Sequence, residues 1–296
     1  MTIRLLTLLL LGVVLPSQSP QSVADELLAA DRAASVAGAK TTVIPALTAM
    51  FAPDVAMQAP VVGFARGLAA ATEALRGNPD NIDGRIEWLP VRSGISADGQ
   101  HGFTFGFMTL RRPDGTTVPV KYLAYWVKRD GRWEVAAYKR RLGPAGDVNT
   151  TVLAPSLPAQ LQPVASDAAT LAGHRQSLIA AEQAFSDEAQ MIGIGAAFAK
   201  YGSADAMNMG GPNDAIFVMG ADAIGKAVGG TEPSSTSPVN WSADSAIVAS
   251  SGDLGVTFGY IRQNAPAGTS PAQPPVPFFT IWRRANPTAP WRYVAE

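Results

Sequence analysis

Four side chains stand out as candidate proton carriers: Asp54, Asp205, Glu182 and His101. The acids come in matched pairs. Asp54 stands in "FAPDVAM" and Asp205 in "GSADAMN", each placed just ahead of an expected strand. A carboxylate enclosed by apolar groups can act as a general base, because burial moves its pKa toward neutrality. In a turn the same residue only orders the backbone. Asp31 and Glu182 form the second pair, in the helical contexts "AADRAAS" and "AAEQAFS". They either face a pocket or lie on a solvated helix face, as most helical acids do. His101 is unmatched, since Leu254 stands at its counterpart. It reads as a proton shuttle or as a strand-end residue with local partners.

The rest of the inventory narrows the chemistry. With no Cys there is no thiolate nucleophile, disulfide or thiolate metal ligand. His101 and His174 lie far apart with no acid at ligand spacing, so no metal is expected. No phosphate-cradling glycine loop, nucleophile elbow or dinucleotide fingerprint occurs, so no cofactor is expected. The 23 Lys and Arg against 24 Asp and Glu argue against a nucleic-acid partner. Arg111-Arg112, Lys139-Arg140-Arg141 and Arg283-Arg284 are expected as solvated rims at strand ends. The aromatics and methionines offer the better pocket candidates. Met57, Trp88, Phe105 and Trp126 in the first half, and Met209, Trp241, Phe258 and Trp282 in the second, would line a cavity for a small apolar ligand.

The elements that position these residues occur twice. Residues 99–107 read "GQHGFTFGF" and residues 252–260 read "GDLGVTFGY". The same shift sets Gly67 on Gly220 and Trp88 on Trp241, while "LLAADRAAS" falls on "LIAAEQAFS" at a shift two residues smaller. Trp126 then pairs with Trp282 and Trp133 with Trp291 after small loop insertions. One order of landmarks in both halves identifies a duplication. Each copy opens with Ala- and Leu-rich helical periodicity, passes a short Gly-flanked helix and ends in strands. In "GFTFGF" the Phe residues share one face and the Gly and Thr residues the other. This predicts an α+β fold of two tandem cone-shaped domains, each with N-terminal helices on a strongly bent antiparallel sheet, and glycines that let the strand bend.

The chain ends and the middle carry other signals. "MTIRLLTLLLLGVVLPSQSPQSVA" has one cation, an apolar run too short to span a bilayer and small residues after it. It reads as a signal peptide over 1–24, removed near Ala24, with an uncleaved anchor as the alternative; the mature chain is then exported, periplasmic or secreted, and free of the membrane. The first domain is expected over 25–141, a Pro- and Ala-rich linker over 142–172, and the second domain over 173–296.

The Gly-led short helix followed by "GDLGVTFGY", "FFTIWRR" and "WRYVAE" resembles the nuclear transport factor 2-like superfamily, and more closely its SnoaL-like, ketosteroid-isomerase-like domains of unknown function. The resemblance implies a bent sheet wrapped on a long helix with an apolar pocket between them, the cystatin-like cone. It also implies pairing through the outer sheet face, which a tandem chain could satisfy internally as a pseudo-dimer. Isomerase-like enzymes place a Tyr on the first helix as an oxyanion donor. Ala34 and Phe185 occupy that region here, and neither can donate. Two functions stay open: a module that binds a small apolar ligand or a partner, and a cofactor-independent lyase, isomerase or hydrolase using a pocket carboxylate as general base.

Overall fold

The computed structural model describes residues 18–59, 63–165, 167–210, 216–230, 234–264 and 274–296. The apolar run of the leader lies outside them. The first domain comprises α1 (Pro20–Gly38), α2 (Val43–Thr48), β1 (Phe51–Ala59), β2 (Gly63–Arg66), α3 (Leu68–Arg76), β3 (Arg85–Ile95), β4 (His101–Arg111), β5 (Thr117–Arg129) and β6 (Arg132–Leu142). The second repeats it as α4 (Ala168–Ile192), α5 (Ile194–Tyr201), β7 (Gly202–Asn208), β8 (Val218–Met219), α6 (Ala221–Gly229), β9 (Val239–Val248), β10 (Leu254–Gln263), β11 (Val276–Arg283) and β12 (Arg292–Ala295). The sheets run β2-β1-β6-β5-β4-β3 and β8-β7-β12-β11-β10-β9. The last four strands of each form the expected antiparallel meander. β1 joins β6, and β7 joins β12, in parallel, so both sheets are mixed.

Local chemistry sets the element ends. Ser19 and Ser22 close a capping box on α1, with Pro20 in its first turn. The Asp167 side chain caps α4, and Gly193 ends it at φ 87°. Asp130 and Gly131, both at positive φ, make the tight β5–β6 hairpin. Helix α1 begins five residues ahead of the expected domain boundary, and Val23 and Ala24 are buried in the core of the first domain. The linker does more than connect. Leu153 N donates to Val91 O at 2.7 Å, Ser156 N to Ser93 O at 2.9 Å and Ile95 N to Ser156 O at 3.1 Å, so this stretch lies along the edge of β3.

The two faces of β4 and β10 have opposite tasks. Gly102, Thr104, Gly255 and Thr257 face the helix. A Cβ on Gly102 would lie 2.5 Å from Leu27 Cδ2, and one on Gly255 would lie 2.6 Å from Leu178 Cδ2. The glycines therefore let helix and sheet approach closely, beyond the bending expected of them. Phe103, Phe105, Val256 and Phe258 face the other way. With Leu123, Tyr125, Phe279 and Ile281 they form one core shared by the outer faces of both sheets. Phe105 and Phe258 thus pack between the domains and line no cone.

Polar contacts cross the same boundary. Asp98 Oδ2 accepts from Ser250 N at 2.7 Å and Ser250 Oγ at 2.8 Å, and Asp253 accepts from Ala97 N at 3.1 Å. Lys139 Nζ donates to Phe279 O at 3.0 Å, and Arg283 Nη2 donates to Ile95 O at 2.7 Å. The expectation of solvated cation rims is corrected here: Lys139 and Arg284 are buried, and the Arg283 side chain nearly so. Lys139 and Arg283 lie between the domains, where backbone carbonyls and Asp253 take the charge, whereas Arg284 is held within the second domain by Gly252 O and Pro287 O.

Replacing Gly102 or Gly255 by Val should lower unfolding free energy by about 1–3 kcal/mol through overpacking. Gly173→Ala, in open space on α4, should be neutral or stabilise by up to about 1 kcal/mol. Urea midpoints at constant m-value measure both.

Candidate functional site

Each cone is built around one helix acid. In the first domain Asp31 is fully buried on α1; its Oδ1 accepts from Trp88 Nε1 at 2.7 Å and its Oδ2 from Tyr122 Oη at 2.6 Å. One turn on, Ser35 Oγ accepts from Trp88 N at 2.8 Å. In the second domain Glu182 on α4 is held in the same way. Its Oε1 accepts from Trp241 Nε1 at 2.7 Å, and its Oε2 accepts from Thr257 Oγ1 at 2.6 Å and Trp282 Nε1 at 2.9 Å. Ser186 Oγ accepts from Trp241 N at 2.9 Å. The i, i+4 spacing of acid and Ser puts both on one helix face, against one strand. The solvated-face alternative for these acids is therefore excluded.

Burial and hydrogen bonding pull these carboxyls in opposite directions. Loss of water favours the neutral form, while indole and hydroxyl donors favour the carboxylate. Burial prevails in both. The Asp31 pKa is raised, and that of Glu182 is pushed up to about 7.

The two acids differ in access. Glu182 lines a cavity of about 320 Å³ whose walls include Phe185, Phe198, Trp241, Ile261 and Phe278. Its polar end carries Asn208 and Glu296 with Lys139 and Arg141 from the first domain, so the site is composite. Asn208 Nδ2 donates to Glu296 Oε1, and Lys139 lies 4.4 Å from the Phe279 ring centre. Burial lowers the Lys139 pKa and raises that of Glu296. The first domain has a cavity of about 380 Å³, walled by Met57, Leu75, Leu110, Val120 and Tyr138 with Arg112 and Arg140 at its polar side. Asp31 does not line it. Tyr122 supplies the hydroxyl that covers Asp31; its counterpart in the register against β10 is Phe278, which has none.

The remaining expected site residues lie elsewhere. Asp54 sits inside β1, not ahead of it, and forms an exposed two-bond ion pair with Arg129 at 2.8 and 2.9 Å, which holds its pKa low. Asp205 sits inside β7, half exposed, and meets Arg92 of the first domain and Ser203. Its pKa is also lowered, the hydrogen bonds from Ser203 and Arg92 overcoming desolvation. Neither is set up as a general base. His101 Nδ1 lies 3.0 Å from Tyr125 Oη, and burial pushes its pKa down. Of the expected lining residues, Met57 lines the first cavity and Met209 and Trp241 the second. Trp88 and Trp282 instead bind the acids, and Trp126 Nε1 donates to Thr104 Oγ1 at 2.8 Å. Among the described residues no cluster of three His, Asp or Glu could hold a metal.

Sequence reasoning missed Tyr122, Thr257, Lys139, Arg140 and Glu296. A signal existed for Thr257: the repeated stretches keep Thr at its position and at 104, between Gly residues that are kept as well.

No protein-family model matches the chain, and no curated protein sequence matches it. Solved structures are similar to it over one part each. A ketosteroid isomerase-like protein from Erwinia carotovora is 22% identical over 39% of this chain and 95% of its own, with a TM-score of 0.31. A nuclear transport factor 2-like protein of unknown function from Pseudomonas putida is 14% identical over 46% of this chain and 96% of its own, at 0.33. A protein of unknown function with a cystatin-like fold from Nostoc punctiforme is 16% identical over 41% and 89%, at 0.29.

Glu182 keeps its proton in the folded chain up to about pH 7 and loses it near 4.5 when unfolded. Its stabilising contribution is full below about pH 4.5 and is lost as pH rises through 7, on the order of 3 kcal/mol. Glu182→Gln should flatten stability between pH 5 and pH 8 relative to wild type, while lowering it at pH 8 by about 1–3 kcal/mol, because the amide cannot accept every indole and hydroxyl donor. Urea unfolding at both pH values reads both effects.

Proposed function

We propose that this protein is an exported two-domain module that holds a small apolar molecule in the cavity of its second domain. The observation that carries this reading is the cavity itself. Aromatic and aliphatic walls border about 320 Å³; Glu182 stands among them as a fixed polar anchor, and the other polar groups, Asn208, Glu296, Lys139 and Arg141, gather at one end. That volume and that ratio of apolar wall to convergent polar groups suit a small-molecule site. Glu182 is rigidly held by three donors, which favours orienting a ligand over exchanging protons with it.

The two domains are further proposed to act as an internal pseudo-dimer. The core shared by the outer sheet faces and the reciprocal Asp98 and Asp253 contacts support this. Export is proposed from the leader alone. Because Val23 and Ala24 pack in the core, a cut ahead of Pro20 suits the fold better than one after Ala24.

One observation favours a second reading. A carboxyl with a pKa near 7 beside a cavity matches what a general base needs, and Glu182 Oε1 accepts only one of the hydrogen bonds it can take. A cofactor-independent lyase, isomerase or hydrolase would work from that oxygen.

Native mass spectrometry of the full chain should show a co-purified apolar compound, or saturable uptake of the neutral probe N-phenyl-1-naphthylamine. Ile261→Trp, which fills the second cavity, should weaken that binding at least about tenfold, a loss of about 1.4 kcal/mol. Equal binding by Ile261→Trp would remove the proposal. Conversion of the bound compound that stops in Glu182→Gln would favour the enzyme instead.

A further inference from the structure

We propose that the cavity of the first domain is a second, separate site, which binds a monocarboxylate with an apolar body through Arg140 Nη1. Arg140 lies on β6 with its side chain on the same face as Tyr138, which packs in the core of the first cone. Its guanidinium is anchored on one side only. Nη2 donates to Asn81 Oδ1 at 2.6 Å, and Asn81, itself buried, is fixed by its own bond from Nδ2 to Leu75 O at 2.6 Å. Nη1 is buried and has no hydrogen-bond partner among the described residues.

An unmet charged donor in a buried position is costly, because nothing replaces the water it has lost. A chain keeps such a group where something outside the chain completes it. Charge balance gives the sign of that partner. Asp80, the acid in the cavity wall, is engaged by Arg112 through two bonds, Nε to Oδ1 at 2.8 Å and Nη2 to Oδ2 at 2.9 Å. Among the described residues Arg140 has only a neutral amide as hydrogen-bond partner, and Arg112 and Arg140 together outnumber Asp80, so the wall carries net positive charge and calls for an anion.

The walls give the rest of the ligand. Met57, Leu75, Leu110 and Val120 border the space, and about 380 Å³ is far more than a bare inorganic anion fills. An apolar tail along these side chains with a carboxylate on Nη1 satisfies both requirements. The second cavity is balanced in charge instead, with Glu182 and Glu296 in its wall set against Lys139 and Arg141. The two copies of one fold are thereby assigned ligands of different charge. The register also shows the switch directly: Tyr138 pairs with Met57, and Glu296 follows Ala295, which pairs with Met207, so Glu296 stands where the first domain has Tyr138.

Isothermal titration calorimetry of the full chain with decanoate, decanol and inorganic phosphate tests the proposal. Decanoate should bind saturably, decanol at least about tenfold more weakly, and phosphate should neither bind comparably nor displace decanoate, since decanol cannot make the charge-assisted bond to Nη1 and phosphate has no apolar body to fill the cavity. Arg140→Met should weaken decanoate at least tenfold and leave decanol unchanged, with near-ultraviolet circular dichroism confirming the fold. Val118→Trp, which fills the first cavity without touching the charge, should block decanoate, and Ile261→Trp in the second should not. This pair decides the matter even if Arg140→Met fails to fold. Decanoate binding that survives in folded Arg140→Met, or that Ile261→Trp removes and Val118→Trp does not, overturns the proposal. So does phosphate binding as tight as decanoate.

Discussion

A buried carboxyl fixes the helix on the sheet in each domain. Taking a carboxyl out of water is costly unless donors replace the water it loses. Here the donors come from separate strands: Trp88 from β3 and Tyr122 from β5 for Asp31; Trp241 from β9, Thr257 from β10 and Trp282 from β11 for Glu182. Each bond can form at only one position of the helix along the sheet. The Ser one turn later adds a second tie, to the backbone of the same Trp. The rest of the cone follows. The sheet must curve to bring these strands to one point, and β4 and β10 must carry Gly and Thr where the helix passes.

Much of this was legible in the sequence. The duplication, the helix-then-meander order and the inward-outward alternation of "GFTFGF" all follow from spacing. Which face turned inward was not. Aromatics suit either a cone interior or a sheet-on-sheet core, and Phe105 and Phe258 went to the latter because the helix needs the small side. The acids show the same limit. Asp31 and Glu182 read as helical acids, and helical acids are usually wet; only the convergence of distant indole and hydroxyl donors makes burial tolerable. Lys139 and Arg140 lie next to each other in a strand, yet one crosses to the second domain and the other enters the first cone. Strand alternation predicts opposite faces, but nothing local says that both faces are enclosed.

The copies keep the frame and change what it encloses. Asp against Glu on the helix, Tyr122 against Phe278 on the meander and Tyr138 against Glu296 on the strand beside β1 or β7 are few changes, all on inward faces. Together they seal the acid in the first domain and open it to a cavity in the second. His101 against Leu254, the difference most visible in the repeated stretch, lies on the outer side beside Tyr125 and takes no part in either cavity.

Covalent tandem arrangement also frees the shared face from a symmetry requirement. Two identical subunits meeting about a twofold axis must use each contact twice, so every residue has to suit both roles. In this chain Arg92 reaches Asp205, but the residue matching Arg92 is Ser245; Arg283 reaches Ile95 O, but the residue matching Arg283 is Val127. Such one-way contacts could not be selected in a homodimer without burying the cation a second time. Once the halves are joined, a cation of either half can meet an acceptor on the other without its counterpart having to do the same. The interface then has a single correct orientation of first half to second, and its mirror pairing is left without partners.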